Sequence, residues 1–338
     1  MEMTVALDAM GGDAMPDAAV DGAMAAAEDG VPVILVGDEA VLRPALDRRG
    51  ATLEVVHAED VFGMHDHAAD VRRRKGSSVM VAAELVREGR AGALVSMGHS
   101  GATMATALLR FGRLPGVERP AIVANVPSKT GTATLLDVGA NADCRPRMLQ
   151  QFAVMGSAYA QVVHGIDDPS IGLLSIGEEP GKGNELVREA HALLVDTPGI
   201  RFHGNVEGRD VLAGTTDVVV TDGFTGNVVL KLAEGEARVL FGWIRDALSS
   251  SLRAKIGGAL ARPALRSIAD RLDPSTYGAQ LLLGVTAPAF IGHGSSDARA
   301  VRNALGFAHA ALRDRLVPRL AERMTASLGA ADADGTAG

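Results

Sequence analysis

At 338 residues the chain exceeds the size at which a single core stops growing, so one large domain or two lobes sharing a sheet is expected. Hydrophobic residues make up 47% of it and aromatics only 3%, so its core is built from small aliphatic side chains of the kind that pack helices closely on parallel strands. A net charge of -8 argues against a nucleic-acid binder, which gains affinity through a basic face.

In chain order, TVALDA reads as a buried strand, GGD as its turn, and Pro16 to Asp29 as a helix with proline near its first turn and Gly30 after its end. VPVILVG, DEAVLRPALDRRG and TLEVVHA repeat the alternation, with Asp38 as a helix cap, and SSVMVAAELVREGR followed by GALVSMG repeats it again. A helix at Ala102 to Phe111, strands at AIVANV and TATLLDVG, and a long helix from Arg147 to Val163 follow. The second half continues with strands SIGLLSIG, IRFHGNV and DVVVTDG, a helix near Glu185 to Val195 and a shorter one after Glu207. From Gly226 a helical stretch reaches about Leu260, Pro263 interrupts it, and a second helix runs towards Leu272, a pair expected to protrude as an arm over about 240–273. The closing helix starts at Ser295–Asp297 and runs past Val317, and 329–338 read as a disordered tail. The expectation is a three-layer α/β fold with a mostly parallel sheet, one catalytic domain over 1–328 with two lobes around a cleft.

The 40 glycines cluster after the apolar runs, where strand-to-helix turns need close backbone approach. Parallel strands would bring these turns to one carboxyl edge. They are Asp8–Asp13, Ser96–Gly101, Asp137–Asn141, Gly177–Asn184, Asn205–Gly208, Asp222–Asn227 and His293–Asp297, and their amides, hydroxyls and lone lysine suit an oxyanion. Candidate binding residues are Asp8, Gly11, Gly12, Asp13, Ser100, Gly101, Asn141, Gly177, Asn227, His293, Ser295 and Ser296. GHSGAT and HGSSD each set hydroxyls before a helix as a phosphate cradle would; the alternative for each alone is helix capping.

GEEPGKGNE at Gly177–Glu185 lacks the spacing and the Ser or Thr of a nucleotide loop, so Lys182 reads as a single cation beside a small anion or oxyanion, or as a solvated lysine. Asp222 either orients a proton or caps a helix, and the several aspartates that a metal-dependent dehydrogenase needs are absent around it. No metal and no cofactor are expected. VRRRKGSS places Arg72, Arg73, Arg74 and Lys75 ahead of a helix, as a solvated loop or as a contact for an acidic carrier protein. Arg253, Lys255, Arg262 and Arg266 on the arm suit either an anionic lipid surface or a buried dimer helix.

The single cysteine, Cys144, excludes an intrachain disulfide and reads as a structural thiol in a reducing compartment. No leader precedes Thr4 and no apolar run approaches the ~20 residues of a spanning helix, so a cytoplasmic protein is expected, with peripheral membrane contact left open.

Taken in order, LDAMGGD, RRRKGSS, GHSGA, LLDVGAN, LLSIGEEPGKGNE, GNVEGRD, VTDGFTGNVVLK and HGSSDARA resemble the phosphate acyltransferases of bacterial phospholipid synthesis over nearly the whole chain. The family loop that usually reads AGNTGA is here MGHSGA, so His99 stands for an asparagine and Ser100 for a threonine. The resemblance implies a fold similar to isocitrate and isopropylmalate dehydrogenases and phosphotransacetylase, a homodimer, no cofactor, and conversion of acyl-acyl carrier protein and inorganic phosphate to acyl-phosphate and free carrier. In that mechanism Lys182, Asp222 and Asn184 are the expected catalytic residues. The rivals are a phosphotransacetylase acting on short acyl-coenzyme A, a nicotinamide-dependent decarboxylating dehydrogenase, and a lipid-surface scaffold without catalysis.

Overall fold

Short apolar runs that end in glycine or a small polar residue form strands, and the alanine-rich amphipathic segments between them form helices. The computed structural model describes residues 3–63 and 65–334. The strands are β1 Val5–Asp8, β2 Val33–Gly37, β3 Glu54–His57, β4 Ala93–Ser96, β5 Ala121–Ser128, β6 Gly131–Leu136, β7 Ser170–Leu174, β8 Arg201–Val206, β9 Val218–Val220, β10 Gln280–Leu283 and β11 Ala289–Ile291. The helices are α1 Asp17–Glu28, α2 Glu39–Asp47, α3 Ser78–Arg87, α4 Ser100–Arg110, α5 Pro146–Val163, α6 Glu185–Val195, α7 Gly208–Ala213, α8 Gly223–Ser249, α9 Leu252–Leu272, α10 Ala298–Arg313 and α11 Leu316–Asp334.

All the strands join one sheet in the order β3-β2-β1-β4-β11-β10-β5-β6-β9-β7-β8. Successive side chains alternate between its faces: Val5 and Leu7 enter one core with α1, α2, α5, α6, α10 and α11, while Ala6 enters the other with α3, α4, α7 and the start of α8. This is the expected three-layer, mostly parallel architecture.

Its direction differs from expectation in one respect. The pairs β11–β10, β10–β5 and β5–β6 are antiparallel, and three reversals leave β6, β9, β7 and β8 running opposite to β1, β4 and β11. The turns therefore leave from opposite sheet edges in two sets, one after β1, β4 and β11, the other after β6, β7, β8 and β9. They do not share a single carboxyl edge.

The arm also differs. Pro263 lies inside α9, which continues through it; no residue of α9 is buried, so the carbonyl deprived of an amide by the ring can turn to water. The break falls at Ser250–Ser251, where Ser251 Oγ caps α9 by accepting from the Ala254 amide at 3.1 Å. The closing helix is likewise two: Asp297 caps α10, and Arg315 at φ 52° separates it from α11. α11 reaches Asp334, into the segment expected to be a tail; residues 335–338 lie outside the described residues. Among the described residues no helix is long and apolar enough to cross a membrane.

Candidate functional site

β1 and β4 are parallel neighbours, with Asp8 beside Ser96, so their turns leave the sheet side by side. Asp8 is buried and accepts from Ser96 Oγ at 2.8 Å and from the Met10 amide at 3.3 Å. Burial pushes its carboxyl above the usual range, which lessens the repulsion that an ionised aspartate would exert on a nearby anion. The two turns touch: a Cβ on Gly11 would stand 2.8 Å from Gly98 Cα and 2.9 Å from Asp8 Oδ2. β11 flanks β4 on the other side, and its turn is tied to the first by the Asp13 amide donating to Gly294 O at 2.7 Å. The structure thus brings together Asp8, Gly11, Gly12, Asp13, Ser100, Gly101, His293, Ser295 and Ser296 on three adjoining turns.

Helix N-termini surround these turns. α4 starts at Ser100 and α10 just after Ser296. Ser78, at the start of α3, lies against the Asp8 carboxyl, and among the described residues the buried hydroxyls of Ser77 and Ser78 meet no partner in full hydrogen-bond geometry. Free amides and aligned dipoles at such ends favour an anion. His99 caps α4, its Nδ1 accepting from the Ala102 amide at 3.2 Å, so the imidazole does what the amide of asparagine would do at that position.

The second set of turns is organised by Asp137. Its carboxylate accepts from the amides of Ile122, Ala140 and Asn141 at 3.0, 3.0 and 2.7 Å and from Asn141 Nδ2 at 2.9 Å. Asn141 also donates to Pro120 O, so it holds the turn. α8 seats directly on it, with the Gly223 amide donating to Asn141 O at 2.7 Å, and a Cβ on Gly226 would meet Asp137 O at 1.9 Å. Asp222 caps α8, accepting from the Thr225 amide and hydroxyl at 2.8 Å each; Asn184 caps α6, accepting from the Val187 amide at 2.9 Å. Lys182 is exposed, its stem over Gly177. Cys144 is half-buried, and burial pushes its thiol up to about 12, as expected of a structural cysteine rather than a nucleophile.

α8 connects the two sets. Asn227 stands over Gly139, and one turn on, along the same helix face, Lys231 Nζ lies 3.3 Å from His293 Nε2 and 2.9 Å from Glu234 Oε2. An ammonium only donates, so Nε2 of His293 accepts and the ring proton sits on Nδ1. Burial first, and Lys231 second, hold His293 below the usual histidine range. Neither Lys231 nor Glu234 was expected from the sequence.

The basic run divides. Arg74 forms ion pairs with Asp60 and Asp66 and lies over the Phe62 ring at 5.1 Å, so its guanidinium is engaged in holding its own loop. Arg72, Arg73 and Lys75 are exposed. On α9, Lys255, Arg262 and Arg266 share a face through steps of seven and four, whereas Arg253 lies off it.

The family described as "fatty acid synthesis protein" matches residues 3–319. The chain is similar to a phosphate acyltransferase of Thermus thermophilus, 59% identical over 324 residues that cover 96% of this chain and 99% of that one. In fold it is similar to a phosphotransacetylase from Streptococcus pyogenes, with a TM-score of 0.61 at 18% identity over 92% of this chain and 94% of that one. It is also similar to 4-hydroxythreonine-4-phosphate dehydrogenase from Klebsiella pneumoniae, at a TM-score of 0.52 and 13% identity over 92% and 100% of the two chains.

Proposed function

The chain belongs to the phosphate acyltransferase family and is an acyltransferase of fatty acid and phospholipid synthesis; from that premise we propose that it moves the acyl group of acyl-acyl carrier protein directly onto inorganic phosphate. The observation that carries this reading is the cradle of three adjoining turns, closed by the Asp13–Gly294 hydrogen bond and ringed by the N-termini of α3, α4 and α10.

In this mechanism Gly11, Gly12 and Gly101 offer backbone amides to phosphate and Ser100, Ser295 and Ser296 offer hydroxyls, while Lys231, oriented by Glu234 and His293, supplies positive charge. One phosphate oxygen attacks the thioester carbonyl and a carbon–oxygen bond forms. The tetrahedral oxyanion then collapses, the carbon–sulfur bond breaks, and the thiolate takes the proton that phosphate carried. Holding a competent nucleophile against the carbonyl and stabilising the oxyanion are the tasks left to the protein. Lys182 lies on the turn after β7, in the second set, and its assignment to the oxyanion requires a second copy of the chain to bring that turn to the cradle; Asn227 faces the substrate from α8, and Asp222, Asn184 and Asn141 set the turns of the second set.

Arg72, Arg73 and Lys75 are the exposed cations offered to an acidic carrier protein. A homodimer is supported by the exposed stripe Phe224, Val228, Leu232, Val239 and Trp243 along α8, an apolar face of the kind that a second copy covers. Lys255, Arg262 and Arg266 beside exposed Leu252, Ile256 and Leu260 suit peripheral contact with an anionic membrane from the cytoplasmic side. The test is incubation of the protein with acyl-acyl carrier protein and phosphate. Thiol release and acyl-phosphate should both require phosphate, and the absence of both would sink the reading.

A further inference from the structure

Beside the His293 turn lies a cavity of about 290 Å³, bounded by β5, the start of β10 and the inner face of α8. Leu230, Ala233, Ala237 and Leu240 line it from α8, at the three- and four-residue steps of one helix face. Val123 and Leu281 close it from the strands. Most of its wall is apolar, and Asn125 and Tyr159 within it bond to each other at 2.9 Å while Asn125 Oδ1 meets His164 Nε2 at 3.1 Å; Glu236, Arg271, Asp273 and Gln280 also border it. Glu234 and His293 stand together on its rim, and Leu240 and Leu272 are exposed where it opens to solvent.

We propose that this cavity holds the hydrocarbon chain of the acyl donor, and that Ala233 and Ala237 set the chain length accepted. The inference rests on the acyl-transfer reading above. Gly292 and His293 bound the cavity, and Gly294 to Ser296 close the phosphate cradle in the same turn. A chain lying here therefore ends with its carbonyl where phosphate waits. Chains directed elsewhere would draw the carbonyl away from the cradle. A cavity of about this size is at the lower end of small-molecule sites, which run from roughly 300 to 1,000 Å³, and a mostly apolar wall gains more from hydrocarbon than from water. The alanines on α8 leave the space that larger side chains would fill.

The test is Ala237→Phe, assayed with a series of acyl thioesters from butyryl to palmitoyl. Each methylene excluded from the cavity is expected to cost roughly fourfold in kcat/KM, so the palmitoyl donor should lose about 100-fold or more while the butyryl donor stays within about twofold. A parallel loss at all lengths, or no loss at any, overturns the inference. Should Ala237→Phe not fold, Leu240→Trp at the solvent-facing edge is read by the same ratio. Binding of a fluorescent fatty acid, displaced by palmitate, separates the two claims. Saturable binding abolished by either substitution, in a protein that transfers nothing to phosphate, refutes the acyl-transfer reading alone; transfer with an unchanged chain-length profile refutes the cavity alone.

Discussion

Gly11→Ala probes the cradle at the point where two turns touch. The new Cβ would stand 2.8 Å from both Cα and N of Gly98 and 2.9 Å from Asp8 Oδ2, whereas ordinary contact begins at 3.4 Å. Two backbones and a buried carboxyl group have no flexible end to swing aside, so the turns must part by about half an ångström in a close-packed interior. Overpacking of this kind costs about 1–3 kcal/mol of stability. A displacement of ~1 Å in positioned groups costs on the order of 100-fold in rate, so about 10-fold is expected here. The assay is steady-state transfer with phosphate and acyl donor varied in turn. KM for phosphate should rise, or kcat/KM for phosphate fall, by that factor, with KM for the acyl donor nearly unchanged. Gly235→Ala is the control, since its Cβ meets nothing within 4 Å and alanine favours the helix by roughly 1 kcal/mol. A folded Gly11→Ala protein with an unaltered phosphate dependence would refute the assignment of this turn to the anion.

The two lysines have separable roles: Lys231→Met should raise KM for phosphate at least about 10-fold, while Lys182→Ala should lower kcat about 100-fold with little change in KM for phosphate, and exchange of these two signatures in steady-state kinetics would reverse the assignments. Gly226→Ala would drive a Cβ to 1.9 Å from the Asp137 carbonyl oxygen, so a loss of about 3 kcal/mol or more is expected in urea unfolding; a loss below about 1 kcal/mol would show that α8 can shift off the Asp137 turn freely. His293 is held below the usual histidine range by burial and Lys231, so the unfolded chain binds its proton first as pH falls. The stability tied to the neutral ring is complete above the ordinary histidine range and is lost through the lower folded value. Thermal midpoints of the wild type and His293→Gln should therefore diverge, with the wild type losing ground as pH drops from 7 to 5; parallel curves would contradict this.

Much of the fold was legible because strand runs such as Val5–Asp8 and Val33–Gly37 are apolar throughout and end in turn residues. β10 and β11 escaped notice: QLLL and AFI are only 4 and 3 residues long, and runs so short carry no period. They fill the middle of the sheet, where β10 runs against both neighbours so that its two reversals cancel; the net reversal that divides the turns into two sets is the antiparallel β5–β6 pair. The cradle turns themselves were readable, since glycines and hydroxyls before a helix carry their own chemistry. Lys231 was not, because a lysine in a helical run looks solvated until tertiary packing brings it to His293, 62 residues away. Arg74 failed in the opposite sense. Its partners Asp60 and Asp66 lie 14 and 8 residues upstream in an irregular loop, and no spacing rule marks such a pair in advance. Asp222 and Asn184 could be read as caps or as chemistry, and backbone geometry supplies the cap in each case.

Phosphate itself is the proposed nucleophile, and rapid mixing with acyl-acyl carrier protein in its absence puts this to the test. No carrier thiol should be released and no mass added to the protein until phosphate is supplied, and thiol and acyl-phosphate should then appear in equal amounts. A phosphate-independent burst of thiol matching the enzyme concentration, with an acyl group found on the protein, would contradict it.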